Sequence, residues 1–229
     1  MQLEGGGWCD RDPADCNELL LKKRNLRQET ATRRVVDHLG TGSEPSRLVS
    51  ARGWNHAYLP QCSGDAFLGS GARHASARSG EAVFNGRNNL FLILAELRRA
   101  YGMADADTVL LTGLSSGGWG AAVNLEAVAA LFDPAETVVL GNNVGFTWPD
   151  RDFPAPPGYI APVTGFSPAH LRAAAAHWGG VEVPRACAAA VGAGNEHLCL
   201  MPSYLCVARA IDRSIAAGAR ARDAGRVRR

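Results

Sequence analysis

Thr108-Val109-Leu110-Leu111-Thr112-Gly113-Leu114-Ser115-Ser116-Gly117-Gly118-Trp119 is the stretch from which the rest of the chain can be read. Its first five residues are a compact apolar, β-branched run, the composition of a strand buried in a parallel sheet. Gly113 to Gly118 then forms a tight turn. Beyond it, Trp119 to Phe132 is rich in alanine and sets Ala122, Leu125, Val128, Ala129 and Phe132 at helical spacing. The turn carries the pattern G-x-S-x-G on Gly113, Ser115 and Gly117. That pattern has a steric meaning: the serine sits on a strained strand-to-helix turn with its hydroxyl above the sheet, and the flanking glycines let the backbones pack without Cβ clashes. The following helix N-terminus favours negative charge developing at that oxygen. Ser115 is the candidate nucleophile, because it alone has glycines at both minus two and plus two. Ser116 is the rival, and is better placed to offer a backbone N–H to an oxyanion. An ordinary glycine-rich turn between strand and helix is the competing account of the same residues.

Working outward, the strand order gives the fold class. Thr137–Leu140 is a second buried strand, so strand, turn, helix and strand follow one another as in an α/β sheet. With the elbow this predicts an α/β-hydrolase-like fold, a mostly parallel sheet flanked by helices. A helix is expected over Asn88–Tyr101, from apolar Leu90, Phe91, Leu94, Leu97 and Tyr101, with Gly102 closing it. Asn55–Pro60 reads as a short strand, Pro168–Trp178 as a helix, and residues 17–39 as one helix or two. Prolines at 149, 154, 156, 157, 162 and 168 mark a surface excursion.

Upstream, Glu4-Gly5-Gly6-Gly7-Trp8-Cys9 is a second glycine-rich feature. Esterases build part of an oxyanion hole from such runs, where bare backbone N–H groups approach the substrate. A phosphate-binding loop would need the lysine of G-x-x-x-x-G-K-[ST], which is absent. A flexible linker would not carry Trp8 and Cys9, both of which favour burial.

Bulk properties narrow the class. The 229 residues, 46% of them hydrophobic, suit one domain with a real core. A net charge of +2 gives no footing for nucleic acid, no run of 18 apolar residues exists to span a membrane, and no apolar signal-peptide region follows Met1. Six cysteines occur without a C-x-x-C pair, which disfavours a zinc ribbon or a thioredoxin-like site. The short spacings Cys9 to Cys16 and Cys187 to Cys199 suit local disulfides of a secreted protein, with buried thiols as the other reading.

Several motifs in order resemble the pectin acetylesterase/Notum carboxylesterase family. They are Leu3-Glu4-Gly5-Gly6-Gly7-Trp8-Cys9 with Cys16; Trp54-Asn55; Cys62-Ser63-Gly64-Asp65-Ala66-Phe67-Leu68-Gly69; Phe84-Asn85-Gly86-Arg87; the elbow; Asn143-Val144-Gly145-Phe146; and Trp178, Val183-Pro184 and Cys187 spaced to Cys199. The resemblance spans about residues 3–206 and implies a partial esterase domain over 1–206, with residues 207–229 a tail outside the family pattern. It implies a secreted or cell-wall monomer that hydrolyses esters by a serine–aspartate–histidine triad without metal or cofactor. The implied substrates are O-acetyl groups on pectin-like polysaccharide or, as in Notum, a lipid acyl group. It also implies oxyanion donors at Gly6, Gly7 and Ser116 and disulfides Cys9–Cys16 and Cys187–Cys199, leaving Cys62 and Cys206 unassigned. A thioesterase or peptidase on the same elbow is disfavoured by the cysteine pattern.

The match thins at both ends. Only Met1 and Gln2 precede the leucine of the glycine run, so the family's strand there is expected to be largely missing. The tail holds seven arginines and no histidine. Asp212 stands nearest the family's acid, with a solvated helix residue as its competing reading. No catalytic histidine carries over onto His38, His56, His74, His170, His177 or His197. The expectation is that these residues alone are a poor or inactive esterase, either a truncated, binding-only relative or part of a longer enzyme.

Overall fold

The computed structural model describes residues 1–9, 54–76, 80–144 and 167–201. Its centre is a four-stranded sheet in the order β2-β1-β5-β6, with β1 at Gln2–Leu3, β2 at Tyr58–Leu59, β5 at Thr108–Leu114 and β6 at Val138–Val144. All three pairings are parallel: Gln2 lies opposite both Tyr58 and Thr112, and Thr108 to Leu114 run in step with Val138 to Val144. The strand ahead of the glycine run is thus two residues long, and those two fill the slot between β2 and β5. Gln2 N–H donates to the Ala57 carbonyl at 2.8 Å, Glu4 N–H to Leu59 at 3.0 Å and Thr112 N–H to Met1 at 2.9 Å. Because the strands are parallel, Glu4, Pro60 and Ser115 all emerge at one end of the sheet, the end where open α/β sheets place their ligands.

Among the described residues four α-helices accompany the sheet: α1 (Gly86–Ala100), α2 (Ser116–Ala129), α3 (Pro168–His177) and α4 (Arg185–Val191). Helix α1 buries Leu90 and Leu94, as the spacing predicts. Tyr101, expected on that face, is instead the C-cap and 72% exposed, and Gly102 follows in the left-handed conformation at φ 70°. Helix α2 begins three residues before its expected start. Its opening turns, Ser116 through Ala121, are entirely buried, so tertiary packing holds glycines that helix propensity alone would not. Helix α3 opens on Ser167, whose hydroxyl accepts from His170 N–H, with Pro168 in the first turn.

A β-hairpin, β3 (Ala72–Ser76) against β4 (Gly80–Phe84), was not legible in the sequence. Val83 is the one β-branched residue in its two strands, so composition gives little strand signal. The apolar interior falls into two clusters. Leu3, Leu59, Leu90, Leu94, Val109, Leu111 and Val128 form one, and Phe84, Trp119, Leu171, Trp178 and Leu200 are central to the other. The Cys187–Cys199 disulfide joins α4 to the short 3₁₀ turn Glu196–Leu200, with Cα atoms 5.9 Å apart. Cys16, the partner expected for Cys9, lies outside the described residues, as do residues 17–39, most of the proline-rich excursion and the tail 207–229.

Candidate functional site

Ser115 joins β5 to α2 with φ 52° and ψ −122°, one of three non-glycine residues at positive φ among those described. Such a conformation costs about 1–3 kcal/mol and survives only where its surroundings fix it. Here the fixing is steric. A Cβ on Gly117 would be driven into the carbonyl oxygens of Leu3 and Glu4, and one on Gly113 into the backbone of Gly117. Strand β5, the glycine run and α2 therefore close on one another at van der Waals distance. Ser115 is the N-cap of α2, yet its side chain makes no capping bond, so the hydroxyl is not spent on the helix. The residue is half-buried, between exposed Leu114 and buried Ser116.

The glycine run lies directly against this turn. A Cβ on Gly5 would strike the Leu114 carbonyl oxygen and come within 3.3 Å of Ser115 Cβ. Gly6 and Gly7 follow at φ 116° and 80°, backbone that a side chain would strain, and Gly6 is exposed. The far end of the run is anchored. Cys9 N–H donates to the Gly64 carbonyl at 2.6 Å, and Trp178 Nε1–H donates to the Cys9 carbonyl at 2.5 Å. Trp8 meets Trp119 edge-on with ring centroids 5.1 Å apart, and Trp119 meets Trp178 likewise at 5.8 Å.

Ser116 is fully buried, and its hydroxyl donates to Gln61 Oε1 at 3.1 Å. That bond occupies the Ser116 hydroxyl and leaves its backbone at the head of α2. Gln61 N–H in turn donates to the Glu4 carboxylate at 2.6 Å. The Tyr58 hydroxyl also bonds to Glu4, and burial, then the Glu4 charge and that bond, push its pKa well above the usual tyrosine value. The motif Cys62–Gly69 contributes a further carboxylate. Asp65 is fully buried and accepts from Ser63 Oγ–H at 2.8 Å, Phe67 N–H at 3.1 Å and Gly86 N–H at 2.7 Å. Burial raises its pKa, against the pull of these bonds. The Gly86 bond caps α1, whose own N-cap, Asn85, makes no side-chain capping bond. Sequence reading quoted Glu4 and Asp65 inside motifs and missed what they hold; Gln61 carried no signal beyond its place before Cys62.

The described histidines are spread over other parts of the fold. Tyr58 is level with Thr112 in the sheet, so His56 sits two residues before that level and Ser115 three beyond it. At about 3.3 Å per residue the two are roughly 16 Å apart along the strands. His74 stacks on His177 with centroids 4.1 Å apart, and its Nε2 lies 2.7 Å from the His177 carbonyl oxygen. His197 is buried with Nε2 3.4 Å from Arg172, and burial followed by the Arg172 charge lowers its pKa. Among the described residues no histidine is hydrogen-bonded to the Ser115 hydroxyl. His38 and Asp212 lie outside them. A cavity of about 210 Å³ lined by Arg172, Val181, Val183, Glu196, His197 and Leu200, among others, includes neither Ser115 nor the glycine run in its wall. Among the described residues no group of three or more histidine, cysteine or acidic side chains is arranged to hold a metal, and no helix is long and apolar enough to cross a membrane.

Comparison with known proteins gives a consistent set. Residues 1–208 match the family model described as pectinacetylesterase. Pectin acetylesterase 5 of Arabidopsis thaliana is 31% identical over 122 residues, covering 52% of this chain and 27% of the relative. Pectin acetylesterase 7 of the same plant is 25% identical over 216 residues, covering 90% of this chain and 49% of the relative. The chain thus spans half or less of these curated relatives. Among solved structures, the Wnt deacylase Notum from Drosophila superposes with a TM-score of 0.58 at 23% identity, covering 89% of this chain and 57% of that one. At that identity the likeness speaks for the α/β-hydrolase-like fold alone.

Proposed function

From the premise that this chain belongs to the pectinacetylesterase family, we propose that its site is that of a serine carboxylic ester hydrolase removing O-acetyl groups from a pectin-like polysaccharide. The observation that carries this is the packing of the Gly5–Gly7 run against the strained, uncapped Ser115. A serine hydroxyl held off the helix cap beside bare backbone is what acyl transfer requires. Ser115 Oγ attacks the ester carbonyl carbon and its proton passes to a base. The carbonyl oxygen, now anionic, is met by N–H groups of Gly6, Gly7 and Ser116. Collapse breaks the bond to the sugar oxygen, which takes the proton from the base and leaves as a hydroxyl; water, giving its proton to the base, then attacks the acetyl-serine carbonyl, and collapse releases acetate and returns the proton to Ser115 Oγ. A family triad would supply that base from a histidine; none of the six in this sequence is assigned to it, and Asp212 is the candidate for the carboxylate. The buried Cys187–Cys199 disulfide supports the further proposal that the protein works in an oxidising, extracellular compartment.

A fluorophosphonate probe tests the assignment. In the active full-length enzyme it is expected to label the wild type and Ser116→Ala at the endpoint but not Ser115→Ala. Release of acetate from acetylated pectin should follow the same order. Equal labelling of Ser115→Ala would end the proposal. Labelling without acetate release would move it to another acyl ester.

A further inference from the structure

The bonds behind Ser115 form a continuous chain that nothing in the ester-hydrolase proposal uses. Gln61 N–H donates to the Glu4 carboxylate at 2.6 Å. Gln61 then accepts the Ser116 hydroxyl on its side-chain carbonyl at 3.1 Å. Three segments meet in it: the end of β1 leading into Gly5–Gly7, the end of β2, and the first residue of α2. Gln61 and Ser116 are 1% and 0% exposed, so water does not compete for the bond between them. The backbone agrees with the side chains, since Glu4 N–H donates to the Leu59 carbonyl at 3.0 Å and a Cβ on Gly117 would meet the Glu4 carbonyl oxygen.

We infer that Gln61 and Glu4 are positioning residues for the oxyanion hole, tying the Gly6–Gly7 donors and the Ser116 donor into one rigid unit. The inference rests on the ester-hydrolase reading of Ser115. Its physical content is that two groups from distant parts of the chain must converge on one oxygen. Misplacement by a fraction of an ångström weakens a bond aimed at the transition state while leaving substrate binding alone. Glu4 holds Gln61 by its main chain, and the Gln61 side chain holds Ser116.

The test uses the full-length enzyme and its Gln61→Met, Ser116→Ala, double and Glu4→Gln variants. Each is followed by the rate constant for fluorophosphonate labelling and by kcat and KM on p-nitrophenyl acetate. Circular dichroism confirms folding. Gln61→Met and Ser116→Ala remove the same bond from opposite sides, so either reads it if the other fails to fold. Each is expected to lower the labelling rate and kcat about tenfold, the worth of one buried hydrogen bond, with KM within about twofold. The double variant should be no slower than the worse single one, as coupled partners require, and Glu4→Gln should fall by a similar factor. Rates within twofold of wild type in both single variants would overturn the inference, and so would a double variant that loses the product of the two. A folded wild type that does not label at Ser115 would overturn the ester-hydrolase reading, and this inference with it.

Discussion

Gly5→Ala puts the contact between the glycine run and the elbow under direct strain. Built on the existing backbone, the new methyl group overlaps the Leu114 carbonyl oxygen, with the Leu114 carbonyl carbon at 3.2 Å and Ser115 Cβ at 3.3 Å. These are backbone atoms and the Cβ of the strained residue, so no side-chain rotation relieves the clash. Ordinary contact returns only if the run and the elbow separate by about 1 Å, a shift that can cost on the order of 100-fold in rate when it misplaces catalytic groups. Removing one oxyanion donor outright costs on the order of 10²–10³, so the expected loss in kcat is about 100-fold with KM little changed. Overpacking of this kind destabilises by about 1–3 kcal/mol, which leaves a folded domain to assay. The measurement pairs kcat and KM on an acetyl ester with thermal unfolding. Activity within threefold of wild type in a folded Gly5→Ala variant would refute the claim that the run abuts the nucleophile.

Three further outcomes are expected. Asp65→Asn turns an acceptor oxygen into an NH₂ group facing Gly86 N–H or the Ser63 and Phe67 donors; urea unfolding should show a loss of about 1–3 kcal/mol, and an unchanged midpoint would mean the carboxylate is idle. Cys187→Ser with Cys199→Ser opens a loop of sequence separation 12 and should lower stability by about 3 kcal/mol on the chain-entropy account, with reductant producing the same shift in wild type only. His197 titrates below its ordinary value because it is buried beside Arg172, so the unfolded chain takes up its proton first as pH falls. Stability from this residue is complete above about pH 6.5 and is lost as pH drops toward the folded-state value. His197→Gln should flatten that part of a melting-temperature profile, and an unaltered slope would assign the acid sensitivity elsewhere.

What could be read from the sequence was what local composition controls. Thr108–Thr112 announces a buried strand, and Gly113, Ser115 and Gly117 announce the turn, because both signals lie within a dozen residues. The start of α2 was placed late because Gly117, Gly118 and Gly120 are poor helix formers, held only by what packs around them. The hairpin was missed because Ala72, Arg73 and His74 are not strand-like by composition. The two buried acceptors are instructive in a different way. Asp65 looked like a loop residue in Cys62–Gly69, and its role depends on Gly86, 21 positions on. Gln61 matters through Glu4 and Ser116, 57 and 55 positions away. Periodicity and propensity have no access to such separations, whereas the chance of finding glycines two before and two after a serine is visible at once.

The bond from Trp178 to the Cys9 carbonyl spans 169 positions, and this has a consequence for how the protein comes into being. On a ribosome adding about 5–20 residues per second, the glycine run emerges first and waits roughly 10–30 s for the indole that pins it. Until then Trp8 and Trp119 lack their third ring. The anchoring of the glycine run is accordingly among the late events of folding, closed by a contact of high sequence separation that is slow to form. Because the closing contact is made by tryptophans, ultraviolet emission during refolding would follow its assembly without any added label.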